Sequence, residues 1–362
     1  MGPPTVPPVA LRTYTAIRMG VVVVIVALAF AVWREIVNDP EGCVQRSLSA
    51  YYYTPVRPVF AGALIVIGFS MAVMWGKTFL EDAALNLAGL LLTFVALNPT
   101  LDAAYCNIDE ATAGGTAPHS DETHKITPSE LIDANASTIS RGVFTLLVAL
   151  TALLIVIAIA GEVVRRRAER DARAFPSGLV KNYRITWVLA ASAVVVYWVL
   201  FLDANNRLSF SADGPTGTAN EGSWFYHGAH GWSANIAVML VFIAVVAAAR
   251  EKLPPAPAQP SSPWWHVWVW LIRAAKFAWR NKNPLTWEVW SNTWAWMYTT
   301  CAIAMAVVAV VVKAGDKLGL FSWWPWVDEH ATFVVEAILI TLIGVFWMIQ
   351  TFDRRREGAP RY

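Results

Sequence analysis

Charge is scarce in this chain of 362 residues: 15% are Asp, Glu, Lys or Arg, against 56% hydrophobic, and the formal net charge is +2. This balance departs from a soluble composition toward repeated apolar spans and offers no basis for a nucleic-acid partner. The signatures of soluble enzymes are missing as well. There is no glycine-rich phosphate loop, no CxxC pair, no G-x-S-x-G elbow and no HExxH. Internal repeats are absent, as is the pair of Gly/Pro-broken helices that points to a secondary transporter. Cysteine is limited to Cys43, Cys106 and Cys301.

What the chain does have is long apolar runs. Crossing roughly 30 Å of hydrocarbon takes about 20 residues as a helix. Runs at about 19–37, 58–76, 82–98, 142–164, 185–202, 228–249, 291–313 and 331–352 predict a single all-α, polytopic membrane domain over 1–362 with about eight spans. The first run, with small residues at "AFA", has some features of a signal peptide. It reads as a retained helix, because it continues into Trp33 and completes an even number of crossings.

Lys and Arg in short flanks fix orientation. Arg165, Arg166, Arg167, Arg170, Arg173, Lys181 and Arg184 crowd one linker, and Arg354, Arg355, Arg356 and Arg361 the C-terminus. Both are expected in the cytoplasm, which puts both termini inside. Segment 99–141, with Lys125 as the sole basic residue before Arg141, is expected as an irregular external loop. Cys43 and Cys106 then share an oxidising compartment, and a bridge between them is expected. It would close a loop of about 60 residues, worth roughly 4 kcal/mol on the chain-entropy view.

After a proline-rich cytoplasmic linker at 250–263, the run 264–282 places His266, Arg273, Lys276 and Arg280 on one helical face, with apolar and aromatic residues around the rest. It is expected to lie on the inner leaflet as an amphipathic interfacial helix whose Arg273, Lys276 and Arg280 meet anionic headgroups, making membrane lipids the first partners. Docking of a partner protein is the rival reading of that surface. Nineteen tryptophans, many near span ends, fit an aromatic belt.

The polar residues expected outside are few enough to weigh individually. His227 and His230 lie three apart at the entry of the sixth span, His330 opens the eighth, and Asp102 follows the third. Three imidazoles and a carboxylate are a donor set for zinc with an activated water; histidines in wet loops or at helix caps are the plainer alternative, and no cofactor is the default. Glu336, about 9 Å deeper than His330, is an intramembrane carboxylate that should face the bundle interior, within reach of Arg57, His230 or Ser233. Asn86, Asn235 and Asn292 read as helix-to-helix glue, and Ala88 and Gly89 as a close-packing site. In "SLSAYYYTPVRP", Tyr51, Tyr52 and Tyr53 fit the interfacial belt beside Ser47 and Ser49, and Arg57 between Pro55 and Pro58 is expected in a stiff, extended lead-in.

The stretches "SLSAYYYTPVRPVFAGALIVIG", "NLAGLLLTFVALNPT", "HGWSANIAVMLV" and "VVEAILITLIGVFWMI" resemble an uncharacterised family of bacterial multi-pass membrane proteins. The resemblance covers about a third of the chain. It implies a helical membrane bundle, singles out Ser49, Tyr51, Tyr52, Tyr53, Arg57, Asn86, His230, Ser233 and Glu336, and brings no activity with it. The basic linker at 164–184 and its flanking spans are additional to the family pattern. More distantly the chain resembles the membrane hydrolases that include alkaline ceramidases, whose H-x-x-x-H motif is missing here.

These readings favour a non-enzymatic protein that binds a lipid or small molecule in an outward-facing polar cavity around Arg57, His230, Ser233 and Glu336, as a transport or sensing component. The alternatives are a metal-dependent hydrolase acting on lipid at the outer leaflet, and an accessory subunit of a larger complex or a homo-oligomer.

Overall fold

The computed structural model describes residues 8–39, 42–74, 76–98, 128–170, 177–207, 224–252, 287–317, 319 and 323–354. Among them there are helices and turns and no strand. In chain order the helices are α1 (Pro8–Asn38), a 3-10 helix (Leu48–Tyr53), α2 (Arg57–Val73), α3 (Phe79–Leu97), α4 (Pro128–Arg170), α5 (Ser177–Arg207), α6 (Trp224–Glu251), α7 (Trp287–Lys317), the short α8 (Pro325–Glu329) and α9 (Ala331–Asp353). Seven are long and apolar enough to cross a membrane. The remaining candidate, α2, has 17 residues and spans about 25 Å at 1.5 Å per residue. A multi-pass helical membrane protein follows.

Exposure agrees with lipid as the solvent. Val23, Val26, Phe30, Ile155, Val156, Val199 and Val310 stand open, whereas Glu81, Ser47 and Gln350 are buried. Backbone groups in hydrocarbon must bond within the chain, which is why every apolar run long enough to cross is helical. Several helices outrun their apolar stretch. α4 begins at Pro128, so the last part of the expected irregular loop is helical. The local reason is legible in "TPSE": a Thr with Glu three residues on, and proline at the first helical position.

By its contacts the chain divides into two compact units, the first formed by Met1–Ala27, Ser70–Ala88 and Val238–Arg361, the second by Leu28–Phe69 and Gly89–Ala237. In the first, α7 and α9 pack along each other, with Tyr298 edge-on to Phe346 at 6.0 Å. Ile25 of α1 fills the space over Gly344, where an added Cβ would lie 3.3 Å from its Cδ1. In the second, α4 and α5 pair around Phe94, Ile139, Val143, Leu147, Val194 and Phe201. There α2 and α3 cross so closely that a Cβ on Gly68 would fall 2.6 Å from the Gly89 carbonyl oxygen, which gives the expected packing role of Gly89 its partner. Asn86 does not bridge helices as expected: its amide donates to Asp82 of its own helix at 3.3 Å. Asn235 is exposed, and the Asn292 side chain lies outside the described residues.

The interfacial helix expected at 264–282, with Arg273, Lys276 and Arg280, lies outside the described residues, as does the linker 253–263. So do Asp102 and Cys106. Cys301 is a free, buried thiol whose Sγ is 3.6 Å from the Leu342 carbonyl.

Candidate functional site

The stretch 47–54 is packed inside the second unit. Tyr51, Tyr52 and Tyr53 are 1%, 3% and 5% exposed, so these tyrosines are internal and not the membrane belt expected of them. Trp33, Trp232, Trp296, Trp323 and Trp324, by contrast, are exposed. A six-residue 3-10 helix needs its polar groups satisfied locally, and the serines and threonine in the sequence do this. Ser47 Oγ accepts from the Ser49 amide at 3.1 Å, and Thr54 Oγ1 donates to the Tyr51 carbonyl at 3.0 Å. The Gln45 amide reaches the Tyr51 hydroxyl at 3.5 Å. Burial pushes the Tyr51 phenol up to about 12 and raises those of Tyr52 and Tyr53.

Arg57 departs from expectation. It opens α2 rather than standing in an extended lead-in, and its guanidinium folds back over Tyr52, 4.2 Å from the ring centroid, while Nη2 donates to the Tyr52 hydroxyl at 2.7 Å. Pro58 in the first turn of the helix costs no hydrogen bond, which lets the helix start one residue before the proline. The stack fixes the cation, since the planar guanidinium gains both a ring face and a phenol.

Four further residues of the second unit come together on the inward face of α6. His230 is 5% exposed and its Nδ1 lies 2.5 Å from the Asn98 carbonyl oxygen at the end of α3. Asn98, 3% exposed, has a side-chain amide nitrogen with no hydrogen-bond partner among the described residues. One turn along α6, Ser233 bonds the Ala229 carbonyl and shares a hydrogen bond with the Tyr197 hydroxyl of α5. Tyr197 in turn stacks on Phe94, with centroids 3.6 Å apart. Sequence reasoning had His230 and Ser233 and missed Asn98 and Tyr197, which carry no motif of their own.

Helix α6 has started by Trp224, so the backbone at His227 and His230 is helical, but the His227 side chain lies outside the described residues. His330 belongs to the first unit: it stacks on Trp326 at 4.9 Å, with Nδ1 2.8 Å from the Trp326 carbonyl, and follows α8 as the cap of α9. Glu336 also belongs to the first unit and is half-buried on α9. Among the described residues no three His, Cys, Asp or Glu gather as a metal site would require.

The first unit holds a buried charge network that sequence reasoning missed. Glu81, fully buried in the first turn of α3, accepts from Gln350 Nε2 at 2.7 Å and Arg354 Nη2 at 2.6 Å, and its Oε2 accepts from the Lys77 amide at 3.0 Å. The Glu81 amide is capped by Thr78 Oγ1 at 3.2 Å. Asp353 accepts from the Tyr298 hydroxyl at 3.0 Å and pairs with Lys252 at 2.7 Å, and Lys77 pairs with Glu251 at 3.1 Å. Burial disfavours the Arg354 cation, but Glu81 and Tyr298 outweigh it and hold the guanidinium charged more firmly than usual. The one available signal was the capping pattern "TFLE" at 78–81, which marks a helix start and says nothing of partners in α9.

No family model matches the chain, and no curated protein or solved structure matches it.

Proposed function

We propose that this is an inner-membrane protein of eight crossings with both termini in the cytoplasm, which binds a lipid or small molecule through a polar site on its outer side, as a transport or sensing component. The observation that carries the binding reading is the Asn98 carboxamide, 3% exposed and without an acceptor beside the buried imidazole of His230. A buried amide donor left unbonded costs about 1–3 kcal/mol, and polar groups inside a membrane bundle default to function. An acceptor-bearing ligand, a carbonyl or ester oxygen, would satisfy it. Arg57 and the Tyr197–Ser233 hydroxyl pair add polar groups within the same unit.

The topology is supported by ion pairs that gather the start of α3 with the ends of α6 and α9: Lys77 with Glu251, Lys252 with Asp353, and Arg354 with Glu81. Helix ends of that alternation share one face of the membrane if α2, at 17 residues, also crosses. Arginine in the 165–173 linker and at 354–361 puts that face in the cytoplasm. Cys43 then lies outside, with a bridge to Cys106 as the tie over the second unit.

The test is native mass spectrometry of protein extracted from membranes in mild detergent, wild type against N98L and H230A. A bound molecule held by wild type and lost from both variants is the expected result. The same complement on all three overturns the binding reading. Zinc in elemental analysis would instead favour the hydrolase, and partners at fixed stoichiometry the subunit. Labelling of a cysteine placed at position 170 by an impermeant reagent on intact cells would overturn the topology.

A further inference from the structure

Arg18 is 6% exposed, within the apolar run of α1, and no carboxylate among the described residues lies at ion-pair distance from it. Among the described residues its Nε has no hydrogen-bond partner, and its guanidinium lies over the face of Tyr14, 5.9 Å from the ring centroid. It lies within electrostatic range of Arg354, Tyr298 and Glu81. The carboxylates nearby are engaged: Glu81 by Arg354, Glu251 by Lys77, and Asp353 by Lys252. The neighbouring Asp82 is taken up by the Gly76 amide and the Asn86 amide, and Arg18 forms no ion pair with a described residue. An isolated guanidinium in a low-dielectric interior is too costly to persist uncompensated.

Three more donors in the same unit point to the same deficit. Arg354 Nε, Trp347 Nε1 and Thr299 Oγ1 are buried without a hydrogen-bond partner among the described residues. Trp347, Gln350 and Arg354, at i, i+3 and i+7, line one face of α9, all 3% exposed or less. Against these, among the described residues of the unit, stands one unpartnered acceptor, Glu251 Oε2. Unpartnered donors beside a guanidinium that forms no ion pair suit one kind of ligand, an oxygen-rich anion.

We propose that Arg18 and Arg354 hold a phosphate group, either the headgroup phosphate of an anionic phospholipid or free phosphate. Two guanidinium forks suit the tetrahedral oxygens of phosphate, and Arg354 has Nε to offer after giving Nη2 to Glu81. Arg18 lies six residues past Arg12, the start of the apolar span, about 9 Å along the helix at 1.5 Å per residue, and Arg354 caps the end of α9, so the site is at headgroup depth. The site uses first-unit residues alone and stands apart from the outer binding reading.

The experiment measures the unfolding temperature of delipidated protein by tryptophan fluorescence in three settings: phosphatidylcholine bilayers, phosphatidylcholine with phosphatidylglycerol, and phosphatidylcholine with inorganic phosphate replacing chloride. Wild type is expected to be stabilised by phosphatidylglycerol or by phosphate, and the arm that responds names the source. R18M should lose that stabilisation and should be at least as stable as wild type in phosphatidylcholine alone, because its unpaired charge is gone. R18K should retain part of the response. Should R18M not fold, displacement of spin-labelled phosphatidylglycerol from wild type by phosphate or by unlabelled lipid carries the test. No response of wild type to either anion, or an equal response in R18M, overturns the proposal.

Discussion

Replacing Glu81 should be among the most damaging single changes in this chain. Its carboxylate accepts from Gln350, from Arg354 and from the Lys77 amide, and no part of it meets solvent. Removing one partner of a buried pair costs about 3–5 kcal/mol, since the other charge stays buried, and Arg354 at 3% exposure cannot swing out. E81A is expected in that range. E81Q keeps an acceptor oxygen but not the charge, and should cost about half as much, the difference between a charged and a neutral hydrogen bond and its unpaired cation. A well-packed apolar pair is often as stable as a buried ion pair, so E81L with R354M should be much less destabilised than the sum of the two single variants. Reversible unfolding in mixed detergent and dodecyl sulfate micelles, followed by tryptophan fluorescence, reads all four corners of the cycle. Additivity within about 0.5 kcal/mol, or an E81A cost under about 1 kcal/mol, would refute the account of Glu81 as the tie between α3 and α9.

Gly68 faces backbone, not a yielding side chain, so G68A must push α2 away from the Gly89 carbonyl, 2.6 Å from the new Cβ. A cost of about 1–3 kcal/mol is expected in the same unfolding assay, and an unchanged midpoint would contradict the close crossing. Tyr51, with its phenol raised from 10.0 to about 12 by burial, keeps its proton when the unfolded chain has lost it. Its contribution is present in full below pH 10 and is lost as pH rises toward 12, a fall of about 2–3 kcal/mol across that window. Y51F should flatten this alkaline decline, and equal slopes for the two proteins would remove the basis for it.

The eight apolar runs, the sharp scarcity of charge and the arginine-rich ends were readable because partitioning into hydrocarbon sums over a local window. Each run proved helical. The polar residues were harder. His230 and Ser233 were legible as polar positions in an apolar helix, but Asn98 and Tyr197 came into view only with α3 and α5 packed beside α6. The tyrosine stretch was misread because interface and interior favour the same amphipathic rings, and the burial of Tyr51 depends on neighbours the local sequence does not name. Arg18 carries no motif, and its lack of an ion pair among the described residues is visible only once Glu81, Glu251 and Asp353 are found with other cations.

Sequence alone determined that this is a helical membrane protein and which apolar runs are helical, because the cost of exposing a peptide group to hydrocarbon admits almost no other solution. Tertiary structure decided which polar groups meet. Glu81 finds Gln350 across 269 positions and Arg354 across 273, a choice set by how the helices rotate and pack against one another, which no local pattern encodes.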